Sequence, residues 1–316
     1  MLSSLLRTIP KRTSFEPEPE DYFQASLGLI FTDDLQNTHG DADTFVRYRS
    51  NGYGDLDISV ADPQAASERS KFAHHLWNAG VLMGELVGGR RKQGQNPPAD
   101  DDDDWGRRKF LDGALWWLSE EEEKMWNVQG ETVIELGAGA GLGGIMSALA
   151  GAKEVAITDY PAESILNTLR TNVSKAVPEN VRGAVVVAGH KWGDVASPFA
   201  ASHRGRFTHV LAADTLWLAS EHDALVCSML HFLAPHPAAR IHVIAGFHTG
   251  RAKLAAFFED AVPNAGLEIE RIFEMDADGR RRPWQPGAPD EPVGERKKWL
   301  VVASLRRGPA MNGNER

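Results

Sequence analysis

Cysteine is almost absent from this sequence, since Cys227 is the single cysteine among 316 residues. One thiol cannot form an intrachain disulfide or a thiolate metal cage, so a disulfide framework and a cysteine-based zinc site are both excluded. A zinc ion would have only histidine and carboxylate ligands. The lone thiol suits a reducing compartment, and the sequence therefore predicts a cytoplasmic location.

Long apolar runs and basic clusters are also missing. No stretch approaches the roughly 20 apolar residues that a membrane-spanning helix needs, so no membrane association is expected. The chain has 34 Lys and Arg against 44 Asp and Glu, a net charge of −10, and no basic block interleaved with aromatic residues. A nucleic-acid-binding protein needs such a block to neutralise phosphates, so DNA and RNA are not expected as partners.

Acidic residues are absent from the first 14 positions, which contain three basic residues. Apolar residues with helical spacing occur there at Leu2, Leu5, Leu6 and Ile9. This pattern is typical of a mitochondrial presequence, although Pro10 would end the helix early. Mitochondrial import and a frayed terminus are the two alternatives for this segment.

The N-terminal part of the chain divides into two predicted regions. Residues 1–66 form an extension with three short β-type segments, LGLIF, TFVRY and LDISV, separated by Asp, Gly and Asn turns. Residues 67–90 have apolar side chains at i, i+4 and i+7, which predicts an amphipathic helix that packs on the main domain. This helix is expected to end at Gly88 and Gly89.

A polar segment and a large domain follow. Residues 91–108 include five consecutive aspartates and are predicted to be a disordered insertion, with a Ca²⁺ or Mg²⁺ site as the alternative. Residues 109–307 form the main domain, and residues 308–316 a flexible tail. Seven apolar segments in the main domain predict strands: TVIEL, EVAITD, AVVVAG, THVLAAD, IHVIAGF, LEIERIFEM and KWLVVASL.

The spacing of these strands indicates the fold class. The first five are joined mostly by helix-length segments, which predicts an α/β fold with an open, Rossmann-like and largely parallel sheet that has helices on both faces. Ligands of such sheets bind beyond the carboxyl ends of the strands, where the strand order reverses. Candidate site residues are therefore sought at these strand ends.

A glycine-rich loop follows the first strand of the main domain. Glycine lets the backbone approach a ligand closely, so the order of strand, glycine loop and helix suits a nucleotide-like cofactor. The loop matches G-x-G-x-x-G from Gly139 to Gly144, which keeps NAD as an alternative. However, Gly137 directly follows the strand and Glu135 lies within it, giving E-L-G-x-G-x-G. This register favours S-adenosylmethionine, a cofactor with no pyrophosphate.

Two residues near the ends of the following strands are candidates for the cofactor site, and the first, Asp159, suits NAD and S-adenosylmethionine equally. Asp159 ends the second strand, where a carboxylate accepts hydrogen bonds from both ribose hydroxyls; the alternative is an N-cap for the helix after Pro161. Trp192 lies in the loop after the third strand. Its indole either offers a flat face to the adenine or packs in the core.

Five motifs, taken in order, resemble the seven-stranded S-adenosylmethionine-dependent methyltransferases, and specifically methyltransferase family 16, which includes lysine methyltransferases. They are HLWNAG at 75–80, ELGAGAGL at 135–142, ITDYP at 157–161, HKWGD at 190–194 and GFHTGR at 246–251. The motifs look like the fungal branch labelled nicotinamide N-methyltransferase-like, which includes a methyltransferase that acts on the N-terminus and a nearby lysine of translation elongation factor 1 alpha. The resemblance covers roughly residues 72–305, apart from the aspartate insertion.

The resemblance implies S-adenosylmethionine as cofactor and a protein amine as acceptor. The cofactor site is expected to contain Trp77, Glu135, Gly137, Gly139, Gly141, Asp159, Tyr160, Trp192 and Ala213. The family commonly has Asp-x-x-Tyr or Asp-x-x-Phe after the fourth strand, whereas this chain has Asp214-Thr215-Leu216-Trp217. The bulkier indole is expected to alter the acceptor pocket.

Methyl transfer to nitrogen requires positioning and no covalent nucleophile. A lysine amine, with a pKa of about 10.4, must lose its proton first. A carboxylate and aromatic side chains that orient the amine are therefore expected in the site. Asp214 and Trp217 are the predicted catalytic residues, although Asp214 is alternatively a helix cap. His248 and Arg251, after the fifth strand, are predicted to contact the substrate; the alternative for His248 is to anchor its loop.

The sequence therefore predicts an S-adenosylmethionine-dependent N-methyltransferase that acts on a protein lysine or N-terminus. A small-molecule N-methyltransferase, a catalytically silent cofactor-binding module and an NAD-dependent oxidoreductase are the alternatives. No metal is expected, because His74 and His75 are adjacent and cannot share a helix face as zinc ligands. The oligomeric state is not predicted.

Overall fold

The computed structural model describes residues 2–11, 37–50, 52–62, 75–90, 116–287 and 291–309. Strands within these ranges form three sheets. The strands are β1 (Leu6–Pro10), β2 (Thr38–His39), β3 (Thr44–Ser50), β4 (Gly54–Ser59), β5 (Leu76–Trp77), β6 (Thr132–Leu136), β7 (Glu154–Asp159), β8 (Val185–Gly189), β9 (His209–Ala213), β10 (Arg240–Gly246), β11 (Leu267–Asp276), β12 (Arg281–Pro283) and β13 (Trp299–Arg307).

Helices connect most of these strands. They are α1 (Asn78–Gly88), α2 (Glu120–Trp126), α3 (Leu142–Leu149), α4 (Glu163–Ala176), α5 (Glu179–Arg182), α6 (Pro198–Ser202), α7 (His222–Phe232), α8 (Arg251–Ala256), α9 (Val262–Asn264) and α10 (Val293–Arg296). A π-helical turn at Phe257–Ala261 joins α8 to α9, and 3₁₀ turns occur at Leu2–Leu5 and Ala219–Glu221. None of the helices in the described ranges is long and apolar enough to cross a membrane.

The main sheet has eight strands in the order β12-β11-β13-β10-β9-β6-β7-β8. The five strands from β10 to β8 are parallel, and β13 runs antiparallel to both β10 and β11. All seven predicted segments are strands in this sheet, which confirms the α/β prediction. The eighth strand, β12, was not predicted because its three residues, Arg-Arg-Pro, have no apolar pattern.

The two faces of the main sheet are both buried. Consecutive residues on a strand point to opposite faces, so Val133 belongs to one apolar cluster and Ile134 to the other. Val155 and Ala156 on β7 alternate in the same way. The strand order reverses at β6, which lies between β7 and β9. A ligand crevice is therefore expected at the carboxyl end of β6.

The N-terminal sheet has the order β1-β3-β4. Strands β3 and β4 confirm the predictions from TFVRY and LDISV, whereas LGLIF lies outside the described residues. The helical interpretation of the first residues was wrong for Leu6–Pro10, which pairs antiparallel with β3, and only Leu2–Leu5 form a 3₁₀ turn. Leu2 is buried, and its backbone N–H donates to Ala277 O at 2.8 Å. Pairing and burial outweigh the local spacing of leucines here.

The predicted helix over residues 67–90 begins only at Asn78 as α1. Its expected first half falls on residues 67–74, outside the described ranges, and on Leu76–Trp77, which form β5 and pair with β2. The helix is buried on nearly all sides, not amphipathic, because α3, β9 and β10 surround it. It ends at Gly88, with Gly89 at φ 72° as its C-cap, which agrees with the predicted end.

A buried carboxyl group joins α1 to the N-terminal sheet. Glu85 on α1 accepts hydrogen bonds from the Tyr48 hydroxyl and from Trp117 Nε1, the latter at 3.1 Å. Its burial raises the pKa of the carboxyl group above the usual value. The aspartate run at residues 100–104 and the last residues, 310–316, lie outside the described ranges, so the predictions for them stay predictions.

Candidate active site

An open cavity lies at the carboxyl ends of the central strands, beside the reversal in strand order. Its volume is about 1190 Å³, including the solvent at its mouth. Ten of the thirteen predicted site residues line it: Trp77, Gly137, Gly139, Asp159, Tyr160, Trp192, Ala213, Asp214, Trp217 and His248. The other three, Glu135, Gly141 and Arg251, are not among the lining residues.

The glycine loop forms the floor of the cavity between β6 and α3. Gly137, Gly139 and Gly141 have φ values of 63°, 55° and 79°, in the left-handed region that favours glycine. At Gly137, a Cβ atom would lie 2.8 Å from Trp192 Cζ2 and 3.0 Å from Thr215 Cγ2. Two constraints, backbone conformation and close packing, therefore require glycine at this position.

Glu135 lies behind the glycine loop and supports it. Its Oε2 accepts a hydrogen bond from Gly144 N–H at 2.8 Å, and a Cβ atom at Gly143 would lie 2.6 Å from its Oε1. Burial raises the pKa of Glu135 to about 8, opposed by the N–H groups of Gly144 and Gly143. Glu135 thus holds the first turn of α3, and Gly141 is the N-cap of that helix.

Asp159 faces the cavity from the carboxyl end of β7. Its Oδ2 accepts a hydrogen bond from Gly139 N–H at 2.7 Å, and its Oδ1 accepts one from Tyr160 N–H at 2.6 Å. Burial raises its pKa above the usual value. Helix α4 starts after Ala162, with no side-chain cap, so the alternative of an Asp159 N-cap is wrong.

Trp192 packs against the core, which confirms that alternative, and it also lines the cavity, so its contact with the adenine stays a prediction. A buried network fixes its loop: His190 Nε2 lies 2.9 Å from Ser228 Oγ, and that oxygen accepts a hydrogen bond from Gly193 N–H at 2.8 Å. Burial lowers the pKa of His190 to about 4, so the ring is neutral at pH 7. The network keeps the indole against the Gly137 backbone.

Asp214 faces the cavity from the end of β9, with a strained backbone. Its φ of 54° is the one positive value for a non-glycine residue in the part of the chain that the structure describes. This conformation costs roughly 1–2 kcal/mol. The side chain is 7% exposed; Oδ1 accepts from Gly246 N–H and Oδ2 lies 3.0 Å from His248 Nε2.

The alternative role of Asp214 as a helix cap is wrong. The 3₁₀ turn at Ala219–Glu221 follows Leu218, and no side chain caps either that turn or α7. His248 instead joins Asp214 to Trp77, whose ring centroid lies 4.7 Å from the imidazole centroid at 57°. His248 therefore lines the cavity and also fixes its own loop. Trp77 comes from β5, which pairs with β2 across the sequence.

Arg251 was predicted to contact the substrate, but the structure places it outside the lining of the cavity. Its side chain is 4% exposed, and its guanidinium binds Glu274 and Glu291, the latter at 2.7 Å from Nη2. Nη1 also donates to Gln285 O at 2.7 Å, and the group stacks 4.2 Å above the Phe247 ring. Arg251 anchors the loop after β10. Sequence spacing gave no sign that two distant glutamates converge on it.

Several lining residues were not predicted as site residues. Thr215 is buried, and its Oγ1 has no hydrogen-bond partner among the described residues. Lys191, next to Trp192, and Glu221, about one turn after Trp217, also line the cavity. Within the described ranges, no group of three or more His, Cys, Asp and Glu side chains is arranged to hold a metal ion.

A family model described as lysine methyltransferase, of methyltransferase family 16, matches residues 64–262. The chain therefore belongs to this family of S-adenosylmethionine-dependent methyltransferases, as its five motifs predicted. The matched residues include β5 with Trp77, the glycine loop, and the strand ends with Asp159 and Asp214.

Three fungal proteins are similar to this chain. The protein N-terminal and lysine N-methyltransferase efm7 of Schizosaccharomyces pombe is 28% identical over 229 residues, which cover 70% of this chain and 74% of that protein. EFM7 of Gibberella zeae is 33% identical over 49% of this chain and 64% of its own length, and EFM7 of Yarrowia lipolytica is 35% identical over 47% and 60%. A solved S-adenosylmethionine-dependent methyltransferase from Aquifex aeolicus has a TM-score of 0.41 and 14% identity, over 59% of this chain and 87% of that one.

Proposed function

We propose that this protein transfers a methyl group from S-adenosylmethionine to a protein amine, either a lysine side chain or an N-terminus. One observation carries the proposal: two carboxylates lie on opposite sides of the same glycine loop. Asp159 is at the end of β7 and Asp214 is at the end of β9, and β6 with its loop lies between them. One side suits the cofactor and the other suits the acceptor.

The residues on the β7 side fit S-adenosylmethionine. A carboxylate has about four lone-pair sites, and Asp159 uses two for Gly139 and Tyr160, which leaves acceptor capacity for ribose hydroxyls. The backbone at Gly137 and Gly139 is open to the cavity, and Trp192 offers a flat aromatic surface. When bound, the cofactor supplies an electrophilic methyl group on a sulfonium.

The residues on the β9 side suit a cationic amine. Asp214 attracts and orients the amine, and its own orientation is fixed because each oxygen already has one donor. Trp77 and Trp217 supply aromatic surface against the methylene groups and the positive charge. The chain thus positions the nitrogen, whose ammonium form first loses a proton to the solvent at the open mouth of the cavity, so that its lone pair can displace the methyl group from the sulfonium.

The names of the fungal relatives support a protein acceptor. The S. pombe protein is named as an N-terminal and lysine N-methyltransferase, and this chain spans about three quarters of it. The chain spans less than two thirds of the G. zeae and Y. lipolytica relatives, so their activity is carried over here as part of the proposal.

The test is methyl transfer from tritium-labelled S-adenosylmethionine to proteins of a cell extract, separated on a gel. We expect labelled protein bands with the wild type and little label with Asp214→Asn. Both forms should bind S-adenosylhomocysteine with similar affinity, because Asp214 acts on the acceptor side. Efficient labelling of nicotinamide without any labelled protein would favour a small-molecule enzyme. Tight cofactor binding with no transfer to any acceptor would favour a silent module.

A further inference from the structure

We infer that Glu221 binds a second positive charge on the acceptor, beside the amine that is methylated. The acceptor is then a basic segment, in which the target amine has at least one cationic neighbour. This inference rests on the proposed function and defines its class of acceptor more narrowly.

Among the described residues, three carboxylates line the cavity: Asp159, Asp214 and Glu221. Asp159 accepts hydrogen bonds from two backbone N–H groups, and Asp214 accepts from Gly246 N–H and contacts His248 Nε2. Glu221 differs, because its carboxylate has no hydrogen bond or ion pair with any residue in the described ranges. It is half-buried, so part of its hydration is lost without a compensating partner.

The local structure does not use the Glu221 carboxylate either. Glu221 ends the 3₁₀ turn after Trp217, and its backbone N–H donates to Leu218 O at 3.0 Å. It occupies the N-cap position of α7, yet its side chain caps no N–H group of that helix. A carboxylate that serves neither the helix nor a neighbour, at the edge of a ligand cavity, is available to an incoming cation.

Two features place this cation beside the target amine and not at the target amine itself. Asp214, which we assign to the target amine, has a side chain only 7% exposed, whereas Glu221 lies seven residues further on and nearer solvent. Lys191, on the loop after β8, is exposed and lines the same cavity. The positive charge of Lys191 disfavours a basic group on the β8 side of the cavity. The charges of Lys191 and Glu221 together therefore set the orientation of a basic segment.

The test uses two fluorescent peptides that differ only in the residues flanking one lysine, arginine in one and glutamine in the other. Binding to protein saturated with S-adenosylhomocysteine is measured by anisotropy. We expect the wild type to prefer the arginine peptide about tenfold, and Glu221→Gln to lose this preference through weaker arginine-peptide binding. Glu221→Lys should prefer a third peptide, flanked by glutamate.

Asp223→Asn is the matched control, since it removes the same charge two residues away, from an exposed side chain that does not line the cavity. It should keep the arginine preference, and S-adenosylhomocysteine affinity should stay within about twofold in every variant. A preference that survives in Glu221→Gln, or that is absent from the wild type, would overturn the inference. Failure of methyl transfer to all proteins would instead refute the proposed function, because peptide binding is measured without turnover.

Discussion

Gly137→Ala is expected to destabilise the protein much more than Gly139→Ala, although both glycines have a left-handed backbone. The backbone conformation alone costs an alanine roughly 1 kcal/mol at either position. At Gly137 the new methyl group would lie 2.8 Å from Trp192 Cζ2 and 3.0 Å from Thr215 Cγ2, whereas at Gly139 no atom lies within 4 Å. Displacing packed side chains adds about 1–3 kcal/mol. We therefore expect a loss of about 2–4 kcal/mol for Gly137→Ala and about 1 kcal/mol for Gly139→Ala.

Urea unfolding followed by circular dichroism measures both losses, and calorimetry with S-adenosylhomocysteine measures binding. The Gly139 methyl group would enter the open cavity, so Gly139→Ala should weaken binding by at least tenfold despite its small effect on stability. In a Trp192→Ala background, the additional cost of Gly137→Ala should shrink, because the main contact is gone. Equal losses of stability for the two single variants would refute this account of the loop.

Three further results are expected. Asp159→Ala should weaken S-adenosylhomocysteine binding by about 2 kcal/mol, because a charged acceptor and the hydrogen bond to Gly139 N–H are lost; an unchanged Kd in calorimetry, with the fold intact, would contradict this. The stability advantage of the wild type over His209→Gln should shrink as the pH drops from 6.5 towards 4, since burial lowers the pKa of His209 to about 4 and the unfolded chain then binds a proton that the folded chain excludes; Glu135, whose pKa burial raises to about 8, acts in the opposite direction but equally in both proteins. Urea midpoints of the two proteins at pH 7.5, 6 and 5 measure this, and a difference between them that is the same at all three pH values would refute it. Trp217→Phe should change the ratio of methylation rates between two peptide acceptors while S-adenosylhomocysteine affinity stays within about threefold, and an unchanged ratio would exclude Trp217 from acceptor selection.

Local patterns in the sequence predicted most of the main sheet and the cofactor side of the site. The buried strands are continuous apolar runs in the sequence. The glycine motif from Glu135 to Gly141 is also a local pattern, because all its residues are close together in the chain. Asp159 was found because it ends a strand whose limit is visible in the sequence. Such features need no knowledge of which distant residues meet.

Long-range contacts account for the errors. Leu6–Pro10 is a strand because β3 pairs with it, and no local signal specifies that partner. Arg251 was placed at the substrate, but Glu274 and Glu291 bind it from 23 and 40 positions further along the chain. The contact of Asp214 with His248, 34 positions away, also depends on the juxtaposition of β9 and β10. These pairings are set by the tertiary fold.

The position of β13 has a consequence for the order of synthesis. This strand is the last in the described chain, yet it lies between β10 and β11 in the sheet. Just before it, Lys297 O accepts a hydrogen bond from Asn37 Nδ2 at 3.1 Å, and Asn37 O in turn accepts from the N–H group of Asn78, beside Trp77. A ribosome must therefore translate the chain through about residue 307 before the sheet closes and the support of Trp77 is complete. Until then the edge of β10 is open to pairing with strands of other chains. The incomplete chain is therefore expected to bind chaperones more readily than the complete protein does.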